Sequence, residues 1–208
     1  MSEGQEAETS CIRCNSPHFP TLVVIRGNSG SGKTTTAREV RRRYGRGTAL
    51  VEQDHLRRVL LREHGGTGHD PVAPAFIDAT VRSALGLGYH VVLEGILDSG
   101  GHATILRRLI ADHPGPSSVF YLDVSFEETV RRYAGRAEPI PVTAAMMREW
   151  YTDRDLLGVD GERVIEESTG FGEAVGTILH TSGLATAAAL TPCPVRCRRC
   201  AEKARDRE

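Results

Sequence analysis

The feature that most constrains this chain is a glycine-rich segment that fits the pattern G-x-x-x-x-G-K-[ST]. It follows the apolar run TLVVIR (21–26), which is typical of a strand buried on both faces, and it precedes a stretch typical of a helix. Glycines let backbone N–H groups surround an anion, and the start of a helix adds partial positive charge. We therefore predict a phosphate-binding loop. Its residues, with the threonine that follows, are Gly27, Asn28, Ser29, Gly30, Ser31, Gly32, Lys33, Thr34 and Thr35.

The lysine of this loop stands out against the composition of the chain. Of 26 lysines and arginines, only Lys33 and Lys203 are lysine. A compact ammonium on a flexible stem is not interchangeable with a planar guanidinium. We expect Lys33 to reach the β- and γ-phosphates of a nucleotide, and the Thr34 hydroxyl to ligate Mg²⁺.

Around this loop, segments typical of strands and helices alternate, which predicts an α/β fold of three layers with a mostly parallel, five-stranded sheet. The predicted strands are 21–26, 48–54, 90–95, 117–124 and 162–167, and the predicted helices are 33–45, 55–63, 75–88, 102–113, 126–133, 144–157 and 171–180. A capping box of Ser125 and Glu128 opens one of these helices. Ligands bind at the carboxyl ends of such strands, where Asp54, Glu94 and Asp123 lie.

The domain is predicted to span 20–182, between a polar N-terminal arm (1–19) and a C-terminal tail (183–208). The N-terminus has no apolar stretch suited to a signal peptide, and no apolar run approaches membrane-spanning length, so we expect a cytoplasmic protein without membrane contact. The formal net charge is -1, which gives no overall attraction to nucleic acid.

Several classes of phosphate-loop protein lack support in the sequence. A GTPase would carry the motif Asn-Lys-x-Asp, and neither of the two lysines, Lys33 and Lys203, lies in such a motif. A transporter ATPase would carry a Leu-Ser-Gly-Gly-Gln-like signature, which the segment beginning Leu97-Asp-Ser does not match. Ring-forming ATPases and helicases usually need a longer core, which leaves the small kinases.

The segments GNSGSGKTT, VEQDHLRR, VVLEG and FYLDVSFEETVRRYAGR support that class directly. Together they resemble the small P-loop kinases around chloramphenicol phosphotransferase, zeta-toxin-type kinases and the polynucleotide 5′-kinase fold, over about residues 20–182. The resemblance implies a strand order 2-3-1-4-5, an ATP–Mg²⁺ site on the loop, and an acceptor hydroxyl held over it by a mobile lid.

Two carboxylates are candidates for the chemistry. By the resemblance, Asp54 matches the aspartate that accepts or orients the proton of the acceptor hydroxyl; alternatively, it caps a helix beginning at His55. Glu94, at the mouth of a buried strand, needs a cation or a donor to offset its burial. It is expected to hold Mg²⁺ through water or to hold the acceptor, or else to be a partly solvated strand end. Asp123 is a rival for magnesium, although a structural role beside Ser125 is favoured.

Arginines and aromatic residues complete the candidate site. Arg132 and Arg136 are four residues apart and could share a helix face; in lid-bearing kinases such arginines close on the phosphates, although here each could equally lie on a solvated face. Further candidates near the acceptor are Arg57, Arg58, Arg148, Trp150 and Tyr151, the tryptophan being at least as suited to helix packing. By analogy, the loop 168–172 contacts the adenine.

The five cysteines lie only in the two ends of the chain. Cys11 with Cys14 and Cys197 with Cys200 each have zinc-knuckle spacing, so a structural Zn²⁺ is one interpretation if the termini meet, with Cys193 and His18 as spare ligands. Unstructured tails with incidental cysteines or a redox pair are the alternatives.

The sequence thus favours an ATP-dependent kinase that phosphorylates a hydroxyl of a small molecule, whose identity no pattern reveals. A polynucleotide 5′-hydroxyl kinase is the second interpretation, with nucleic acid possible but not favoured as a partner. A nucleotide-binding regulatory protein with zinc-pinned tails is the third.

Overall fold

The computed structural model describes residues 19–63, 72–135 and 142–187. Five strands form one sheet in the order β2-β3-β1-β4-β5, and every pairing is parallel. Both the fold class and the strand order predicted from the sequence are confirmed. The strands are β1 (Leu22–Gly27), β2 (Thr48–Glu52), β3 (His90–Gly95), β4 (Ser117–Asp123) and β5 (Arg163–Glu166).

Helices cover both faces of this sheet. They are α1 (Lys33–Tyr44), α2 (Gln53–His55), α3 (Val72–Gly86), α4 (Ser99–Asp112), α5 (Phe126–Ala134), α6 (Ala144–Trp150) and α7 (Phe171–Thr181), with a π-helical turn at Leu56–Leu60. Alternate residues of β1 serve the two faces, as a strand period of two requires. Leu22 and Val24 pack with α3 and α4, whereas Val23 and Ile25 pack with α1 and α7. Within the described ranges, no helix has both the length and the apolar character needed to cross a membrane.

The register of the strands assembles one edge of the sheet. Ile25 of β1 pairs with Glu94 of β3, and Gly27 pairs with Leu122 of β4. Glu94 in turn pairs with Glu52 at the end of β2. The loop that leaves β1 therefore lies between the carboxyl ends of β3 and β4.

The second strand is shorter than predicted. It ends at Glu52, and Asp54 lies inside α2 instead of at a strand end. Glu52 is the N-cap of α2, so the prediction that Asp54 caps a helix beginning at His55 is wrong. The chain leaves the strand here because the buried Gln53 turns inward, where its Oε1 accepts a hydrogen bond from Leu97 N at 3.3 Å.

The long helix predicted over 144–157 is also wrong, because α6 ends at Trp150. Beyond it, the main-chain N–H of Thr152 donates to Asn28 Oδ1 at 3.1 Å rather than to a helical carbonyl. Arg154 has a left-handed φ of 44°, which an α-helix cannot contain. The hydrogen bond to Asn28, the residue after β1, thus overrides the helical pattern of the sequence.

The predicted capping box is confirmed in one half. Ser125 Oγ accepts from the N–H of Glu128 at 3.3 Å. The N–H of Ser125, however, donates to Glu167 Oε2 at 2.8 Å, while the Glu128 carboxylate binds Arg131 and Arg132. Two arginines within a helical turn of Glu128 compete successfully for its carboxylate.

Arg26 is a fully buried charge in the central strand, with 0% of its side chain exposed. Its Nε donates to Leu97 O at 2.9 Å, and its Nη1 donates to Asp155 O at 2.9 Å. It forms ion pairs with Asp155 at 3.0 Å and with Glu162 at 3.1 Å. Because a buried charge is tolerated only when it is paired and hydrogen-bonded, these contacts fix the segments around 97 and 155–162 against β1.

We predict that Arg26→Met lowers the free energy of unfolding by about 3–5 kcal/mol, because two largely buried carboxylates lose their cation. Urea unfolding at pH 7 measures it. The control is Arg42→Met on the surface of α1, where Glu39 keeps Arg43 as a partner at 2.9 Å. The control should shift stability by about 1 kcal/mol or less, and equal losses in the two variants would contradict the structural role of Arg26.

His90, at the start of β3, is buried as a neutral ring. Its Nδ1 accepts from Thr21 N at 2.8 Å, and its ring meets Tyr44 edge-on with the centroids 5.0 Å apart. Burial lowers the pKa of His90 to about 4. The unfolded chain, in which the pKa of a histidine is about 6.5, therefore binds this proton more readily than the folded protein does.

Stability should consequently fall as the pH decreases from 6.5 towards 4. We expect His90 to account for a loss of about 2 kcal/mol between pH 7 and pH 5. Urea unfolding of wild type and His90→Asn at both pH values isolates this contribution, because asparagine keeps an acceptor and does not titrate. The same pH dependence in the two proteins would show that His90 is not responsible.

Candidate functional site

The loop between β1 and α1 is curved by two glycines with left-handed backbone angles. Gly30 has a φ of 83° and Gly32 a φ of 93°. A Cβ atom at Gly30 would lie 2.5 Å from the carbonyl oxygen of Thr129 in α5. The loop and α5 thus meet at a point where no side chain fits.

The start of α1 presents main-chain groups suited to binding an anion. Gly32, which has no side chain, is the N-cap, so the N–H groups of the first turn remain available to a ligand at the end of a 12-residue helix. Lys33 is the first residue of the helix, and its Nζ donates to the carbonyl oxygen of Asn28 at 3.1 Å, across the loop. Lys33 thus closes the loop on itself, and phosphate binding by these residues stays a prediction.

Thr34 and Glu94 meet beneath the loop. The Thr34 hydroxyl lies 3.1 Å from each carboxylate oxygen of Glu94, and Glu94 is only 2% exposed. Burial raises the pKa of Glu94; the charge of Lys33 and the hydrogen bond from Thr34 act against this shift, and the charges of Glu52 and Asp54 add to it. The alternative of a partly solvated strand end is therefore wrong for Glu94.

This pair suits a hard divalent cation. A hydroxyl and a buried carboxylate are oxygen ligands of the kind that Mg²⁺ prefers, and a cation would offset the buried charge. In the part of the chain that the structure describes, no group of three or more His, Cys, Asp or Glu side chains could hold a metal ion. A site with few protein ligands is compatible with Mg²⁺, which usually keeps several waters and substrate oxygens.

A cavity of about 330 Å³ opens beside the loop, on the side of β4 and β5. The loop residues Gly30–Gly32 line one wall, and Thr169 and Phe171, both in the predicted adenine loop, line another. Arg132 lies at the same cavity, where its Nη1 donates to Ser31 O at 3.1 Å and its Nε to Glu128 Oε1 at 2.6 Å. The structure thus brings Arg132 to the phosphate loop, and its role on the phosphates stays a prediction.

Asp54 lies on the opposite side of the loop, towards β2 and β3. Its side chain is 69% exposed, and its Oδ1 lies 3.5 Å from Arg58 Nε. Glu52, two residues earlier, pairs with Glu94 in the sheet, so Asp54 follows the end of β2 beside the strand end that carries Glu94. Asp54 is therefore accessible to a substrate next to the candidate metal site, with Arg58 beside it and Arg57 half-buried in the following turn.

Asp123 and two of the residues predicted near the acceptor, Arg148 and Tyr151, have structural contacts. Asp123 Oδ2 lies 3.8 Å from Arg154 Nη1, and burial together with neighbouring carboxylates raises the pKa of Asp123. The Arg148 guanidinium stacks over the Phe126 ring at 4.7 Å, and the Tyr151 hydroxyl donates to Val124 O at 3.1 Å. These contacts brace α6 against α5, and Trp150 ends α6 half-buried.

Other predicted residues lie outside the described ranges, and their roles remain predictions. They are the lid residue Arg136 and the candidate zinc ligands Cys11, Cys14, His18, Cys193, Cys197 and Cys200.

A family model, AAA_33, described as an AAA domain, matches residues 22–153, which include the phosphate loop, Asp54, Glu94 and Arg132. The chain belongs to this family. No curated protein matches the chain.

The solved structures that resemble this AAA domain include several kinases. A sugar kinase from Janibacter sp. HTCC2649 has a TM-score of 0.64 at 21% identity, covering 84% of this chain and 99% of that one. The APS kinase CysC of Mycobacterium tuberculosis, in complex with AMPPNP and APS, has a TM-score of 0.60 at 18% identity, covering 82% and 100%. A gluconokinase from Sinorhizobium meliloti 1021 has a TM-score of 0.56 at 17% identity, covering 80% and 95%. The AAA domain therefore has the fold of small P-loop kinases.

Three residues that sequence reasoning missed support this site from below, namely Arg26, Gln53 and Asp155. Arg26 and Asp155 pair beneath the loop, and Gln53 Nε2 lies 3.1 Å from His102 Nε2. The sequence does contain a signal for Arg26, because a charged residue at the end of an apolar strand is tolerated only if a buried partner binds it. Nothing local to Gln53 or Asp155 identifies their partners, which lie 44 or more residues away.

We predict that Gly30→Ala weakens Mg-ATP binding at least about tenfold and lowers stability by about 1–3 kcal/mol, because a Cβ atom meets Thr129 O in a left-handed conformation. Calorimetric titration and urea unfolding measure the two effects. Gly176→Ala is the control, since an added Cβ in α7 would meet nothing within 4 Å beyond the adjacent backbone of its own helix. The control should be neutral or stabilising by about 0.5–1 kcal/mol; wild-type binding by Gly30→Ala would overturn the prediction.

Proposed function

We propose that the protein is an ATP-dependent phosphotransferase that moves the γ-phosphoryl group to a hydroxyl of a small molecule. The observation that carries this proposal is the contact of Thr34 with the buried carboxylate of Glu94, directly beneath the glycine loop and beside Lys33. The family match and the kinase structures that share the fold support it.

The loop binds the phosphates in this proposal. The N–H groups of the loop and of the first turn of α1 donate to phosphate oxygens, and the Lys33 ammonium exchanges the Asn28 carbonyl for the β- and γ-phosphates. Thr34 and, through water, Glu94 would hold Mg²⁺, which supplies charge neutralisation when bound. Arg132, already at Ser31 O, lies where a cation can stabilise the charge on the transferring group.

Asp54 acts on the acceptor. As the acceptor oxygen forms its bond to the γ-phosphorus, the bond from that phosphorus to the β–γ bridging oxygen breaks, and ADP leaves. The proton of the hydroxyl passes to the Asp54 carboxylate, which is exposed on the acceptor side of the loop. Arg136 is proposed to join Arg132 on the phosphates once the lid closes.

The test is ADP release from Mg-ATP in the presence of pooled metabolites, antibiotics or short oligonucleotides. We expect one pool of small hydroxyl compounds to stimulate turnover, Lys33→Ala to abolish it, and Asp54→Asn to lower it by about 10²–10⁴-fold. Asp78→Asn makes the same exchange in α3, where Asp78 binds Arg82 on the surface, and should leave turnover unchanged.

Each other outcome has a distinct meaning. Full activity of Lys33→Ala would overturn the assignment of the loop. Stimulation by oligonucleotides alone, with a steep dependence on salt, would replace the small-molecule acceptor with a polynucleotide end. ATP binding without stimulated turnover in any pool would favour a regulatory protein over an enzyme.

A further inference from the structure

The second residue of the phosphate loop holds a distant segment of the chain. Asn28 is 4% exposed, and its Nδ2 donates to Thr152 O at 2.8 Å while its Oδ1 accepts from Thr152 N at 3.1 Å. Nδ2 also lies 3.2 Å from the Tyr121 hydroxyl. A side-chain amide is needed to bind both main-chain groups of one residue in this way, because it both donates and accepts.

The same segment is held at its other end by Arg26. Arg26 donates to both the main-chain oxygen and the carboxylate of Asp155, and the carboxylate also accepts from Ser99 N at 2.9 Å. Arg26 and Asn28 are the residues on either side of Gly27. We name the four residues 152–155 the arch. Its first residue is held by Asn28 and its last by Arg26, at the point where β1 passes into the phosphate loop.

The middle of the arch is strained. Arg154 has a φ of 44°, and a residue with a Cβ atom pays roughly 1–2 kcal/mol for this conformation. Its side chain is 58% exposed, and its ion pair with Asp123 is long, at 3.8 Å. Such strain persists only where the surrounding structure enforces it. Here the bonds of Asn28 to Thr152 and of Arg26 to Asp155 hold the residues on both sides of Arg154.

The main chain of Asn28 faces the ligand side of the loop. Its carbonyl oxygen accepts from Lys33 Nζ and from Ser31 N, each at 3.1 Å. A phosphate that draws Lys33 away changes the hydrogen bonding of this carbonyl. One residue therefore connects the lysine of the loop, through its main chain, with the arch, through its side chain.

We propose that Asn28 is a positioning residue that couples occupancy of the phosphate loop to the order of the arch. The inference rests on the proposed nucleotide site. In the occupied loop, phosphate bound to the neighbouring main-chain N–H groups holds the main chain of Asn28 in place of Lys33. Asn28 then restrains Thr152 and keeps Arg154 in its strained conformation. Because coupling between sites is reciprocal, the pinned arch also raises the affinity of the loop for nucleotide.

The experiment is hydrogen exchange by mass spectrometry on the full chain, with and without saturating Mg-ADP. Two peptides are followed, one covering the phosphate loop and one covering the arch. In the wild type, we expect Mg-ADP to slow exchange in both, by about tenfold in the arch. In Asn28→Ala, the loop should still slow, whereas the slowing in the arch should be lost and the affinity for Mg-ADP should fall about tenfold.

Thr152→Ala is the matched control, because Asn28 binds only the main-chain groups of Thr152, and it should behave as the wild type. If Asn28→Ala does not fold, Tyr121→Phe removes one partner of the Asn28 amide together with the long bond from the Tyr121 hydroxyl to Thr152 O at 3.4 Å, and should reduce the slowing in the arch in part. A merely structural role for Asn28 would raise exchange in the arch equally with and without Mg-ADP.

The failures are distinguishable. Slowing in the wild-type loop without slowing in the arch overturns the coupling and leaves the nucleotide site intact. Slowing in neither peptide overturns the nucleotide site and the coupling with it. Unchanged arch slowing in Asn28→Ala, or its loss in Thr152→Ala, overturns the role of the Asn28 side chain.

Discussion

The ion pair of Arg26 with Asp155 is the interaction on which the candidate site depends. A guanidinium without solvent contact under the phosphate loop is tolerated because carbonyl and carboxylate oxygens replace water around it. Those oxygens come from the turn after β3 and from the segment between α6 and β5, so a single side chain draws two separate parts of the chain to the carboxyl end of β1. The loop therefore lies directly above a buried, fully paired charge.

Much of the fold could be predicted because its signals are local. Buried parallel strands are continuous apolar runs, and the loop motif marks where the first of them ends. The placement of Lys33, Thr34 and Glu94 at one edge follows from parallel pairing alone, since carboxyl ends of neighbouring strands meet. The strand order itself came from family resemblance, because no local pattern specifies which strands are neighbours.

The errors concern residues whose conformation is decided by distant partners. The segment 144–157 has a helical pattern, yet Asn28 takes the N–H of Thr152, 124 residues away in sequence. Asp54 lies in a helix instead of a strand because Gln53 turns into the interior to meet Leu97, 44 residues away. Local propensity is a weak prior, and buried polar groups that need partners override it.

The contact of Gly30 with Thr129 limits how α5 can move relative to the phosphate loop. Thr129 has no solvent contact, and its carbonyl oxygen abuts the loop where a methyl group would collide. The first turn of α5 is therefore wedged against the loop and cannot swing independently of it. The first turn of α5 and the phosphate loop can therefore move only together, and Arg132, one helical turn further along α5, is held at the same loop by its hydrogen bond to Ser31 O.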